Sequence, residues 1–146
     1  MNSPQDTQKF RQCLEAAEQG DSEALFYVAF AYDSGVGVQQ DKDEAFRWYM
    51  KAASFGNDKA QLMIGMFYEK GIVVKPNIEE AFKWYLKAAE QGNHYGQCNV
   101  GLCYYYGTGV QRDENKAKEW LRKARNNGSS RAYNVIDKLK LDIPFP

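Results

Sequence analysis

Residues 24–59 of the chain return twice at a spacing of thirty-six, and no other property of the sequence limits the fold so strongly. Tyr32 becomes Tyr68 and Tyr104; Gly35 becomes Gly71 and Gly107; Val38 becomes Val74 and Val110. Ala45, Ala81 and Ala117 keep the same step, as do Trp48, Trp84 and Trp120, and Lys51, Lys87 and Lys123. A closing glycine recurs at Gly20, Gly56, Gly92 and Gly128. A fixed period within roughly 20–50 residues marks stacked units, each burying its apolar face only against its neighbours. The expectation is one domain, 1–146: a capping helix at 4–20, repeats at 21–56, 57–92 and 93–128, and a closing helix with tail at 129–146.

Each repeat reads as two helices. The first (22–34, 58–70, 94–106) follows a capping residue, Asp21, Asn57 or Asn93, whose side chain satisfies a free N–H. Ala24, Val28 and Tyr32 form its inward stripe. Ala29, Gly65 and Gly101 are small where the helices of a unit must approach, which outweighs the ~1 kcal/mol propensity cost of Gly. Gly35-Val36-Gly37-Val38 and Gly107-Thr108-Gly109-Val110 then turn the chain. Glycine supplies the left-handed conformation that ends a helix, and Val38 is expected to plug the core beneath the turn. The second repeat has Val73 at the second glycine position, which calls for another backbone path or strain. These glycines end a helix and lack Lys-Ser/Thr, so they do not read as a phosphate cradle.

The second helix begins at Asp41, Asn77 or Asp113. Asp41 with Glu44, and Asn77 with Glu80, resemble capping boxes. Ala45, Trp48 and Ala52 are expected inward, with Tyr49 and Ala53 beside them. Before the first repeat, Ser3-Pro4 reads as an N-cap followed by Pro at the first helical position, with Phe10, Leu14 and Ala17 inward. After the third repeat, Asp142-Ile143-Pro144-Phe145-Pro146 cannot extend a helix and is expected to fold back over the last core layer.

The pattern Ala24-x-x-x-Val28-Ala29-x-x-Tyr32-x-x-Gly35-x-Gly37-Val38-x-x-Asp41-x-x-x-Ala45-x-x-Trp48-Tyr49-x-Lys51-Ala52-Ala53-x-x-Gly56 resembles the Sel1-like repeat, a relative of the tetratricopeptide repeat. The resemblance covers about residues 8–140. It implies an all-α fold, a right-handed α-solenoid of helix-turn-helix repeats. It also implies an adaptor or scaffold that binds other proteins. Some bacterial members resemble immunity proteins that neutralise toxins, which is the alternative reading. Cysteine-rich secreted members are linked to β-lactam binding or hydrolysis, but the two-cysteines-per-repeat pattern is missing here, which argues against that activity.

Lys plus Arg equal Asp plus Glu at 19 each, so bulk charge favours neither nucleic acid nor an anionic membrane. The distribution is uneven: nine acids and five bases up to residue 56, five and nine from residue 93. A monomer is expected, with head-to-tail self-association as the alternative that this asymmetry suggests. Cys13, Cys98 and Cys103 follow no repeat-locked pairing, which argues against a disulfide framework. No apolar run approaches the ~18 residues of a membrane span, and the polar start does not read as a signal peptide. A cytoplasmic location is the expectation. No cofactor or metal site is expected.

By the resemblance, the first helices line a concave groove. The candidate partner-binding residues on them are Phe26, Tyr27, Phe30, Leu62, Met63, Met66, Asn99, Leu102, Tyr105, Tyr106 and Asn134. Together the apolar members form a band of the kind that marks interaction surfaces, and the two Asn could bond an extended peptide backbone. Phe26, Leu62 and Cys98 share one repeat position, which fits either the groove or unit-to-unit packing. A catalytic reading rests on His94 and Cys98, four residues apart on one helix. The pair lacks an orienting third group and an oxyanion donor, so the chain reads as no enzyme.

Overall fold

Helix starts fall where the sequence supplies caps. The computed structural model describes residues 2–145, and among them the elements are eight α-helices. These are α1 (Pro4–Glu18), α2 (Ser22–Ser34), α3 (Lys42–Ser54), α4 (Asp58–Lys70), α5 (Ile78–Glu90), α6 (His94–Tyr106), α7 (Glu114–Asn126) and α8 (Ser130–Lys138). Ser3, Asp21, Asp41, Asn57, Asn77, Asn93, Asp113 and Ser129 each accept a backbone N–H from the first turn they precede. Only Ser3 closes a reciprocal box, with Asp6 bonding back to its N–H at 3.1 Å. The expected boxes at Glu44 and Glu80 are half-made, because these carboxylates pair forward with Arg47 and Lys83 at 3.0 Å instead. The chain forms two compact units, residues 1–76 and 77–146.

In the first unit α1 to α4 pack in sequence. Leu25, Val28, Ala29 and Ala31 of α2 and Ala45, Tyr49 and Ala52 of α3 are fully buried. Tyr32 is half-buried and meets Phe10 edge-on at 5.4 Å. The inward position on α3 therefore belongs to Tyr49 and not to Trp48. From Ala45, steps of four and three reach Tyr49 and Ala52 on one stripe. Trp48 falls on the flank, half-buried, with Lys51 Nζ 5.2 Å above its ring. The Tyr49 hydroxyl is held by Asp33 Oδ2 at 3.1 Å, and Asp33 also binds Lys42. This chain of partners ties the end of α2 to the start of α3.

In the second unit α6 lies flush between α5 and α7. A Cβ on Gly96 would stand 3.0 Å from the Ala89 nitrogen, and one on Gly101 only 2.7 Å from Leu121 Cγ. The tail folds back as expected. Ile143 joins Cys98, Leu121, Ala124, Ala132 and Ile136 in one buried cluster. Arg125 donates to the Ile143 and Pro144 carbonyls at 3.2 and 2.9 Å and covers the Phe145 ring at 4.5 Å.

The connectors end each first helix on a left-handed glycine, Gly35, Gly71 or Gly107. Val38, Val74 and Val110 are half-buried and do not reach the core. The second glycine answers a close approach: a Cβ at Gly37 would strike the Asp6 carbonyl oxygen, and one at Gly109 that of Ile78. Val73 keeps the same conformation, φ 67° against 76° and 74° at the glycines, so the second connector takes strain and no new path. Left-handed backbone costs an L-residue roughly 1–2 kcal/mol, more when Cβ is branched.

Val73→Gly should therefore stabilise the protein by about 1 kcal/mol, a rise of roughly 3 °C in a thermal melt followed by circular dichroism. Tyr49 gives a second prediction. Burial first, then the Asp33 charge and hydrogen bond, push its hydroxyl well above the ordinary value of 10.0. In the unfolded chain it ionises near that value. Its contribution is complete below about pH 10 and is lost as pH rises beyond it. Between about pH 9 and about pH 11 the melting temperature of Tyr49→Phe should fall less steeply than that of the parent chain.

Candidate functional site

The first-helix faces carry most of the groove candidates, and each compact unit presents its own. On α2, Phe30 is the open one, 45 % exposed. Phe26 is half-buried, its ring 5.7 Å from Tyr49 and under Lys59 Nζ at 5.9 Å. It packs α2 against α3 and the start of α4. Tyr27 is half-buried beneath Lys9 Nζ at 4.7 Å. On α4, Leu62, Met63 and Met66 are all half-buried.

On α6 of the second unit, Cys98 is fully buried and Leu102 packs against the same cluster. Asn99 is half-buried, and its side-chain oxygen accepts from Arg131 Nη1 at 2.6 Å. Tyr105 and Tyr106 stand perpendicular at 5.0 Å, Tyr106 being 60 % exposed. The Arg112 guanidinium lies 5.9 Å from the Tyr105 ring centre, and its Nε donates to the Tyr105 carbonyl at 3.0 Å. Asn134 on α8 is exposed. The open members are thus Phe30 in one unit, and Tyr106 and Asn134 in the other.

The sequence pattern did not point to Gln61 and Gln97, both buried on the first helices. Gln61 Nε2 donates to the Ala53 carbonyl at 3.4 Å and Gln97 Nε2 to that of Ala89 at 3.2 Å. They add a second donor to carbonyls at the C-terminal turn of the preceding helix, which also accept the backbone N–H of Gly56 and Gly92 at 3.0 Å. Nor did it point to a cleft of about 420 Å³ between α1 and the start of α2, walled by Cys13, Ala16, Ala24 and Tyr27 and edged by Asp21 and Glu23. A second hollow, of about 350 Å³, separates α8 from the tail at Arg125, Tyr133 and Phe145.

Catalytic chemistry finds no support at His94 and Cys98. The imidazole lies against the Tyr95 ring, tilted by 37° at 4.2 Å between centroids. Burial raises the Cys98 thiol above its ordinary range, and the Arg131 charge offsets this only in part, so the thiolate a nucleophile needs is disfavoured. Among the described residues no group of three or more His, Cys, Asp or Glu could hold a metal ion. No helix there is long and apolar enough to cross a membrane.

A family model described as Sel1 repeat matches residues 22–57, 58–93 and 94–129. No curated protein sequence matches the chain. Among solved structures, a Sel1 repeat protein from Oxalobacter formigenes is 38 % identical with a TM-score of 0.78, the match covering 83 % of this chain and 50 % of that one. A protective antigen of uropathogenic Escherichia coli displaying an SLR fold is 39 % identical with a TM-score of 0.86, covering 91 % of this chain and 28 % of that one. The chain thus spans half the length of the first and under a third of the second. The cysteine rich protein B of Helicobacter pylori shares the fold at a TM-score of 0.73 and 23 % identity, the match covering 88 % of this chain and 96 % of that one. The three cysteines of the present chain are all free thiols.

Only Cys13 is more than marginally open. Iodoacetamide at neutral pH should alkylate that thiol alone in the folded protein. Cys98 should react only after denaturation, as intact-mass spectrometry of native and unfolded samples will read.

Proposed function

The chain belongs to the Sel1-repeat family, whose members are generally protein-interaction scaffolds, and on that premise we propose that it binds a helix or extended segment of another protein through its first-helix faces. The observation that carries this is the aromatic side chain that each unit leaves open on its own first-helix face. Phe30 is exposed on α2, and Tyr106 on α6 stands against Tyr105 beside Arg112. Tyr and Arg dominate interface hot spots because each combines apolar area with directed hydrogen bonds. The half-buried Met63 and Met66 of α4 add side chains that adapt to irregular partners. Asn134 supplies an exposed amide suited to a peptide backbone, whereas Asn99 already serves Arg131. The role is non-catalytic: the family fold is typically a scaffold, and the one thiol–imidazole pairing is blocked by burial of the thiol.

The test is a paired affinity capture from the source lysate with the parent chain and the double variant Phe30→Asp, Tyr106→Asp. Both side chains are open, so the melting temperature should shift by no more than about 2 °C. Affinity for the captured partner should fall by about thirtyfold or more, as for hot-spot aromatics. An unchanged set of captured proteins at unchanged affinity would overturn the reading.

A further inference from the structure

The cleft between α1 and α2 has the form of a seat from which one helix is missing. In the second unit the matching positions are filled. Leu121 and Ala124 of α7, with Ala132 and Val135 of α8, receive Cys98 and Leu102 from α6. Thirty-six residues apart three times over, Cys13 and Ala16 of α1 stand where Leu121 and Ala124 stand, and Ala24 and Tyr27 where Ala132 and Val135 stand. Cys13, Ala16 and Tyr27 are half-buried and wall a hollow of about 420 Å³ that no other helix of the described chain covers.

The edge of the seat specifies charge. In the second unit Arg131 reaches back to Asn99, the residue after Cys98, at 2.6 Å. In the first unit Lys59, at the same repeat position, reaches back to Phe26. At the open cleft that position is Glu23, exposed and beside Asp21. The third counterpart is the neutral Tyr95, so an acidic side chain stands at this position only at the open cleft, whose Tyr27 wall lies under Lys9 Nζ at 4.7 Å.

We propose that this cleft docks an amphipathic helix from another protein, with apolar residues at i and i+4 and Lys or Arg at i+1. The two apolar side chains take the places of Cys98 and Leu102, and the cation meets Glu23 and Asp21. The helix runs antiparallel to α1, as α6 does to α7, so the end dipoles of the two helices attract. This surface is separate from the open aromatic faces assigned above, and the reading does not depend on them.

A peptide copying residues 94–106 with Cys98→Leu and Asn99→Arg is the probe, held helical by a lactam bridge on its outer side because isolated helices of this length are marginal. Titrated into the full-length chain and followed by fluorescence anisotropy, it should bind saturably and slow iodoacetamide alkylation of Cys13 about tenfold. The same peptide with Asn99→Glu should bind about tenfold more weakly, and Glu23→Lys in the protein should reverse that preference. Ala16→Trp should fill the seat and abolish binding, while Phe30→Asp with Tyr106→Asp should leave it intact. Equal binding of the two peptides, binding retained by Ala16→Trp with Glu23→Lys also without effect, or Cys13 alkylation at an unchanged rate would overturn the proposal. So would light scattering showing that a second copy of the chain fills the seat, with doubled mass and a protected Cys13.

Discussion

Close approach of helix backbones at small side chains is the constraint on which the rest of this structure hangs. In the second unit Gly96 and Gly101 let α6 lie against α5 and α7, and at neither is there room for a Cβ without displacement. In the first unit Ala29, Ala45 and Ala52 are fully buried. Glycine within a helix costs about 1 kcal/mol of propensity, which the seam tolerates because dispersion contacts across it are lost steeply as a gap opens. Everything bulky must then go to the ends or flanks. Tyr49 fits because its hydroxyl reaches past the apolar layer to Asp33. The indoles of Trp48, Trp84 and Trp120 do not fit, and each lies half-buried with the lysine three residues on placed over its ring.

Helix bounds were legible in the sequence because their causes are local. A capping Asp, Asn or Ser and a left-handed glycine act within one turn, so 22–34, 58–70 and 94–106 could be read off directly. The strained Val73 was legible for the same reason, since a neighbouring repeat shows glycine at its place. The inward face of α3 was not: Trp48 and Tyr49 are adjacent, and only the size of the seat decides which one enters it. Gln61 and Gln97 were illegible because an amide in a helix reads as surface, and the carbonyls they satisfy belong to the preceding repeat. The position shared by Phe26, Leu62 and Cys98 could be groove or seam. Phe26 packs on Tyr49 and Cys98 joins the buried cluster of Leu121, each against the second helix of its own repeat, while Leu62 is half-buried. The groove list read from the pattern is therefore thinner in space than in sequence.

That thinning bears on how such a chain acquires a binding role. The seats must be kept, and they are filled by Ala, Gly, Leu and Tyr in a fixed order. What faces outward at the edge of each seat is unconstrained by packing: Glu23, Lys59 and Arg131 occupy one repeat position with opposite charges. Lys59 lies over an aromatic ring and Arg131 bonds an amide of the first helix before it, whereas Tyr95 at the same position meets its own neighbour His94. Relatives at 38 and 39 % identity can accordingly keep the fold at TM-scores of 0.78 and 0.86. The side chains left free to serve a partner are therefore the unrepeated ones at repeated positions. Phe30, Tyr106 and Glu23 are of that kind: the first two are larger than any seat requires, and the third carries a charge opposite to Lys59 and Arg131 at the same repeat position.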